Sequence, residues 1–323
     1  MLRIPGTWIW DSWIAQDGAV YHLYFLQAPS SLTDPSRRHA AATIGHASST
    51  DLVTWAVHAP ALAPSDSGWD DLATWTGSVV RGDDGVWRMY YTAISRAGNE
   101  LRDQRIGLAE SDDLFTWRRV GDRPVLVADP RWYQTLGIEG SPASETWRDP
   151  FVFRDPDGDG WHMLVTARLQ GAPRLDDGAL AHARSHDLVT WELGPPVSLA
   201  AAGFGQIEVP QVRLVDGQPI LVFTCHPEEQ SPQRRRAGGY FCTWSVVGHS
   251  LLGPWDLSTA KPFRDEPYLF AAPFVPDPAG GWAFVGFRNT EPEGILQFDL
   301  VDPIPVTMHQ GCLVAREAGR AGS

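Results

Sequence analysis

Three acidic side chains stand in short aromatic or proline-flanked stretches: Asp11 in Trp10-Asp11-Ser12, Asp149 in Arg148-Asp149-Pro150 and Glu208 in Glu208-Val209-Pro210. Carboxyl groups that share one pocket repel each other and separate in pKa, so a single site can hold an ionised carboxylate and a protonated acid at neutral pH. Cleavage of a glycosidic bond needs that combination: one carboxyl protonates the leaving oxygen while another attacks or stabilises an oxocarbenium-like centre. The 15 tryptophans suit the same chemistry, since indole faces stack on the apolar faces of sugar rings, and Trp8, Trp10, Trp13, Trp75 and Trp147 lie close to these stretches. The competing readings are that the trio binds a cation or pairs with arginines such as Arg148, and that each tryptophan is core packing. Arg-Asp-Pro also occurs a second time, at Arg154-Asp155-Pro156, so the tripeptide alone does not mark a site.

The elements that must position these residues come from a repeat. The phrases IGHASSTDLVTW from Ile44, IGLAESDDLFTW from Ile106 and LAHARSHDLVTW from Leu180 are copies of one another, and a looser fourth copy ends at Trp255. Before each phrase lies an apolar alternating segment led by a turn: DGAVYHLYFLQA, DDGVWRMYYTA, DGDGWHMLVTA, DGQPILVFT and PAGGWAFVGF. Before each turn is another short strand: WDSWIA, WTGSVVRG, WRDPFVF, IEVPQVRL and LFAAPFV. Five such units, about 65 residues each, predict an all-β chain: a single five-bladed β-propeller of four-stranded blades spanning residues 1–323. The DLxxW phrases recur in three blades and are read as architecture, with Asp and Leu forming a turn and Trp packing between blades.

The first strand of each propeller blade lines the central channel. Setting Ser12, Ser78, Pro150, Pro210 and Pro273 in one column puts Asp11, Gly77, Asp149, Val209 and Ala272 in the column before it, and Trp10, Thr76, Arg148, Glu208 and Ala271 one further back. Carboxylates therefore fall within one position of the same level on three of the five strands. Strict alternation aims Glu208 away from the side Asp149 faces, so a bulge or Pro210 must redirect it. Asp155 falls instead in the slot of a hairpin turn, DPDGDG, and is read as structural. His22 and His46 belong to motif strands, where packing or support of neighbours is expected rather than catalysis.

Composition narrows the class further. A formal charge of -13 argues against nucleic acid, and the run Arg234-Arg235-Arg236 is too short to supply a basic face and reads as a solvated loop. Cys225, Cys242 and Cys312 have no metal-ligand spacing and are odd in number, so buried thiols are expected, with neither a metal site nor a disulfide framework. No window approaches the roughly 18 apolar residues of a membrane span, and the start of the chain lacks a signal-like pattern, so a cytoplasmic location is expected. No cofactor motif is present, and the expected partner is an oligosaccharide or small glycoside.

At this point the motifs are similar to those of the β-fructosidases of glycoside hydrolase family 32, the invertase and levanase relatives. Tyr21 to Gln27 resembles that family's YHLFYQ, Gly45-His46-Ala47 with Asp51 to Trp55 its GHA and DLVHW, Trp75 to Ser78 its FSGS, Arg148-Asp149-Pro150 its RDP, and Glu208-Val209-Pro210 its ECP. The order and spacing agree over about residues 8 to 300. The resemblance implies Asp11 as nucleophile, Glu208 as acid/base and Asp149 as the residue that holds sugar hydroxyls and stabilises the transition state. It also implies that Gln27, Trp75, Thr76, Gly77, Ser78 and Arg148, beside Trp10, line a fructosyl pocket. A retaining reaction through a covalent glycosyl intermediate follows, with transfer to a sugar acceptor as an option. The nucleophile segment departs from the family's WMNDPNG, with Trp10 in place of Asn and no PNG, and the chain ends too soon after blade five for the family's usual β-sandwich. Alternatives are an inverting arabinosidase or xylosidase on the same propeller, and a sugar-binding propeller without turnover.

Overall fold

Each hairpin turn read from the sequence joins the first two strands of a blade. Asp216-Gly217, for example, has both residues at positive φ, 51° and 77°, the conformation a two-residue hairpin loop demands. The computed structural model describes residues 1–98, 101–136, 145–158, 160–199, 202–238, 240–289 and 298–316. Blade 1 contains β1 (Thr7–Asp17), β2 (Val20–Pro29), β3 (Thr43–Ser49) and β4 (Ala56–Val57); blade 2 contains β5 (Ala73–Arg81), β6 (Trp87–Ile94), β7 (Gln104–Ser111) and β8 (Arg118–Arg119). Blade 3 follows with β9 (Trp147–Arg154), β10 (Trp161–Arg168), β11 (Gly178–Ser185) and β12 (Glu192–Gly194), and blade 4 with β13 (Glu208–Val215), β14 (Gln218–Thr224), β15 (Thr243–Val247) and β16 (Lys261–Pro262). Blade 5 is built from β17 (Leu269–Phe270), β18 (Phe274–Pro276), β19 (Trp282–Phe284), β20 (Phe287–Arg288), β21 (Ile304–His309) and β22 (Cys312–Ala315). The strands pair antiparallel, in chain order within blades 1 to 4 and as β18-β19-β21-β22 in blade 5, where β17 and β20 pair separately, which gives the expected five-bladed propeller of four-stranded sheets.

The second strands are buried along almost their whole length, because both faces are covered by adjacent blades; β6 and β10 have no exposed residue. The apolar side chains accordingly gather into clusters between blades 1 and 2, 2 and 3, 3 and 4, 4 and 5, and 5 and 1. The ring closes through the start of the chain: Leu2 and Leu300 exchange backbone hydrogen bonds of 3.0 and 3.1 Å, and Arg3 is paired with Asp299.

The DLxxW phrases are inter-blade joints. Asp51, Asp113 and Asp187 each accept two backbone N–H groups at 2.7 to 2.8 Å, closing a tight turn in which Leu52, Leu114 and Leu188 sit at φ of 61°, 66° and 64°. The turn of one blade receives a tyrosine of the blade before it: Tyr24 donates to the Leu114 carbonyl at 2.7 Å, and Tyr90 to that of Leu188 at 2.5 Å. Trp117 and Trp191 then meet the same two tyrosine rings edge-on at 5.7 and 5.5 Å.

Two surface expectations need correction. Arg234 to Arg236 form part of a short helix, α1 (Pro232–Gly238), and Arg234 is not a solvated loop residue. Its guanidinium lies 4.4 Å from the Phe204 ring and donates to the Ala202 carbonyl, because the stem covers apolar surface while the head finds carbonyls. Of the three thiols, Cys225 and Cys242 are buried but Cys312, near the outer edge of blade 5, is partly exposed. Among the described residues no helix is long and apolar enough to cross a membrane.

Candidate active site

One irregularity is common to all five inner strands. β1 carries one unpaired residue, Asp11, between the pairs Trp10↔Leu26 and Ser12↔Phe25, and β5 carries Thr76 between Trp75↔Thr92 and Gly77↔Tyr91. β9 has two residues, Asp149 and Pro150, where β10 has one, and β13 has Val209 and Pro210 where β14 has one. Between β17 and β18 three residues likewise face two. The true column is therefore Asp11, Thr76, Asp149, Val209 and Ala271, preceded by Trp10, Trp75, Arg148, Glu208 and Phe270. The alignment read from sequence was one residue late in blades 2 and 5, where no carboxylate or proline marks the bulge. Asp149, Val209 and Ala271 hold φ of 57°, 47° and 42°, a region that non-glycine residues occupy at a cost. The local kink aims successive residues at the same space, which a flat strand would send to opposite faces.

Threonines of the second strands support these bulges. Thr92 accepts the Asp149 N–H at 2.9 Å and donates to the Thr76 carbonyl at 2.9 Å. The Thr166 hydroxyl lies 2.8 Å from the Ile207 carbonyl and 3.1 Å from the Asp149 carboxylate, and Thr224 donates to the Glu208 carbonyl at 3.3 Å. Each therefore ties its own blade's bulge, and in two cases a neighbouring blade's, into one ring.

The bulges open onto a cleft of about 580 Å³ at one end of the channel, and Asp11, Asp149 and Glu208 all line it. Asp149 is almost fully enclosed, accepting the Val209 N–H at 3.2 Å with Arg148 Nε at 3.5 Å. Arg148 also donates to Glu208 at 2.9 Å and is hydrogen-bonded to Gln206. Asp11 accepts from the Thr76 hydroxyl at 3.3 Å. Burial is the main force on all three acids. It raises Asp11 to about 7, with the charges of Asp149 and Glu208 adding and Arg38 and Thr76 opposing. It raises Glu208 to about 7 against the opposing charge of Arg148, with Asp149 and Glu229 adding. It raises Asp149 too, against Arg148 and the Val209 N–H. Such a cluster holds protons that a solvated carboxylate would release, and Asp11 and Glu208 titrate as partners near neutrality.

Of the other expected pocket residues, Trp10, Trp75, Thr76 and Arg148 line the cleft. Trp10 is only 1% exposed, however, because Arg38 stands 5.4 Å over its ring and His39 meets its edge at 6.0 Å. Gly77 and Ser78 lie one and two residues further down β5 and line the cavity below instead. Gly77 has a backbone reason to be glycine, since a Cβ there would stand 1.9 Å from the Tyr90 carbonyl oxygen. Gln27 is on β2, paired with Ile9 and Thr43, and its amide is 3.3 Å from the Thr43 hydroxyl; it is not among the lining residues of the cleft. Asp155 accepts from the Asp157 N–H and contacts His162 at 2.7 Å in the β9–β10 turn, away from the cleft.

Several lining residues escaped the motifs. Arg38 and His39 come from the segment Pro35–Ala41 between β2 and β3, held by the Trp75 indole N–H donating to the His39 carbonyl at 2.8 Å. His39 is kept neutral, its pKa lowered to about 3 by burial and by Arg38 and Arg148. Arg168 and Glu229 form a 2.9 Å ion pair on the rim, to which Asp177 and Arg174 add. A signal for the supporting threonines was present in the repeats, which read YYTA, LVTA and VFT at corresponding places. Arg38 had none, since its segment occurs in one blade alone.

Residues 12–251 match the sequence model described as Glycosyl hydrolases family 32 N-terminal domain; the match begins one residue after Asp11. A raffinose invertase of Escherichia coli is 30% identical over 261 residues, covering 79% of this chain and 48% of that protein. A sucrose-6-phosphate hydrolase of Bacillus subtilis is 29% identical over 68% of this chain and 40% of that one. The chain thus spans less than half the length of these relatives. Among solved structures, the inulosucrase from Halalkalicoccus jeotgali bound to kestose superposes with a TM-score of 0.76 at 22% identity, over 96% of this chain and 87% of that one. The levansucrase from Gluconacetobacter diazotrophicus gives 0.73 at 18% identity, over 97% and 81%. These two show a shared fold. The extent of the family match, together with the invertase relative, is the ground for assignment: the chain belongs to glycosyl hydrolase family 32.

Proposed function

We propose that the chain is a β-fructofuranosidase-type glycoside hydrolase that works with retention of configuration. The observation that carries this reading is the convergence of Asp11, Asp149 and Glu208 on one cleft, with two of the three poised near pH 7. In the first step an ionised Asp11 oxygen attacks the anomeric carbon. The bond to the leaving oxygen breaks as Glu208 gives that oxygen its proton. In the second, Glu208, now a carboxylate, takes a proton from water while the water oxygen displaces Asp11 from the sugar. Asp149 makes no bond to carbon; held by Val209 N–H, Thr166 and Arg148, it presents a fixed acceptor to sugar hydroxyls. Arg148 beside it offers donors to sugar oxygens, and its contact with Glu208 keeps the acid/base oriented.

The names of the relatives, raffinose invertase and an inulosucrase bound to kestose, favour sucrose and short fructosyl oligosaccharides as donors. The same intermediate can be opened by a sugar hydroxyl, so transfer accompanies hydrolysis when acceptor is abundant. The free thiols Cys225 and Cys242 suit a reducing, cytoplasmic setting.

Purified protein incubated with sucrose, raffinose and kestose is expected to release fructose, with the first-formed anomer retaining the donor's configuration by NMR. Asp11→Ala and Glu208→Gln are expected to lower kcat at least a thousandfold. Activity on none of these donors, or activity surviving both substitutions, refutes the reading; first-formed product of inverted configuration refutes the covalent step.

A further inference from the structure

Below the carboxylate cleft the channel continues as a cavity of about 200 Å³, which shares Thr76 and Asp149 with the cleft. Its lower end meets a groove on the opposite face, and Ile14, Val79, Arg213 and Val275 wall both spaces. The channel thus has carboxyl groups at one end and a guanidinium at the other.

Arg213 projects from β13 and packs 4.9 Å from the Phe151 ring. It donates to two main-chain carbonyls, those of Phe274 at 3.3 Å and Val212 at 3.1 Å. Among the described residues it has no carboxylate partner. Asp149, at the upper end of the cavity, is engaged by Arg148 and the Val209 N–H, and at the lower mouth Asp17 stands 3.9 Å from Arg81. The other arginines set into the blades are matched: Arg88 meets Asp84 and Glu110, and Arg168 meets Asp177 and Glu229. Burial alone lowers Arg213 to about 10, with no acid to offset it. Arg213 is partly exposed where it walls the groove, and a cation only partly in contact with water and held by neutral partners alone gains from a counter-ion.

The rest of the cavity supplies donors. Ser12 is 1% exposed, lines the cavity and has an enclosed hydroxyl with no hydrogen-bond partner among the described residues. Ser78 accepts the Val152 N–H at 3.0 Å, which leaves its own proton to give. One uncompensated cation, hydroxyl donors and apolar walls select an anion over a cation or a neutral guest. The volume equals about six or seven waters at roughly 30 Å³ each, room for a halide-sized ion with part of its hydration shell. We propose that Arg213, with Ser12 and Ser78, forms a binding site for a small monovalent inorganic anion in the channel beneath the carboxylate cleft. This site does not depend on the glycosidase reading.

The test compares thermal unfolding in sodium chloride and in sodium gluconate at matched ionic strength, gluconate being an extended organic anion rather than a halide-sized ion. Chloride is expected to raise Tm along a saturable curve that gluconate does not reproduce. Arg213→Met is expected to lose the difference and Arg81→Met, at the mouth, to keep it. An equal response to both salts in the unmodified protein, or a chloride effect that survives Arg213→Met, overturns the proposal. If Arg213→Met does not fold, crystals of the unmodified protein soaked in bromide decide: an anomalous peak beside Arg213 supports the site, and none at saturating bromide overturns it.

Discussion

Replacing Asp11 by Asn should abolish turnover and stabilise the protein above neutral pH. In the unfolded chain Asp11 loses its proton near 3.8, whereas in the folded site it keeps it to about 7. Between those values the folded state binds more protons than the unfolded one, so the contribution of Asp11 to stability falls as pH rises from about 4 to about 7 and is flat above that. At about 1.36 kcal/mol per pKa unit the shift is worth at most about 4 kcal/mol. Asp11 is open to the cleft on one side, shares its titration with Glu208, and partly compensates Arg38, so about 2 kcal/mol is the expected gain for the Asn variant at pH 8. For a domain of this size that corresponds to a Tm higher by roughly 3 °C. Thermal unfolding at pH 4.5, 6 and 8 at constant ionic strength measures it, with no gain at the lowest pH and the full gain at the highest. An Asn variant no more stable than the parent at pH 8 would refute the claim that burial, with the neighbouring acids, makes the folded site retain the Asp11 proton.

Three further outcomes are expected. The pH profile of kcat/KM should be a narrow bell centred near 7, because Asp11 must be ionised and Glu208 protonated while both titrate there; a plateau broader than about three pH units contradicts the coupling. Gly77→Ala should destabilise by about 3 kcal/mol or more in urea unfolding, since its Cβ meets the Tyr90 carbonyl rather than a movable side chain. Asp113→Ala should cost about 1 to 2 kcal/mol through loss of the two turn hydrogen bonds under Leu114, with kcat per folded molecule unchanged; a matching drop in kcat would mean the turn also shapes the cleft.

The blade plan was legible in the chain because repetition exposes it. Turn signals, alternating apolar strands and three copies of DLxxW each state the same local geometry, and the structure places the copied Asp, Leu and Trp at equivalent blade joints. Asp149 could likewise be separated from Asp155, since one copy of Arg-Asp-Pro falls on an inner strand and the other in a turn slot. The inner-strand level was harder. Blades 1, 3 and 4 aligned correctly, but Thr76 and Ala271 were displaced by one, because a bulge adds a residue without changing residue type. Gln27, read into the pocket through its motif, lies on the second strand beside Thr43.

Arg38, His39, Arg168, Glu229 and Arg213 were invisible as a group. Arg38 and His39 share the insertion between β2 and β3, the others stand on or between strands of blades 3 and 4, and no spacing in the sequence connects the three places. What the sequence by itself determined was local and periodic: five hairpin-led units, their inter-blade joints, and carboxylates on three of the five inner strands. Only the closed ring decided that those strands share one level, that five bulges turn consecutive residues to the same side, and that Arg148 bridges Asp149 and Glu208. Backbone propensity acts over a few residues, whereas a pKa of about 7 for Asp11 arises from burial and from charges more than a hundred residues away in the chain.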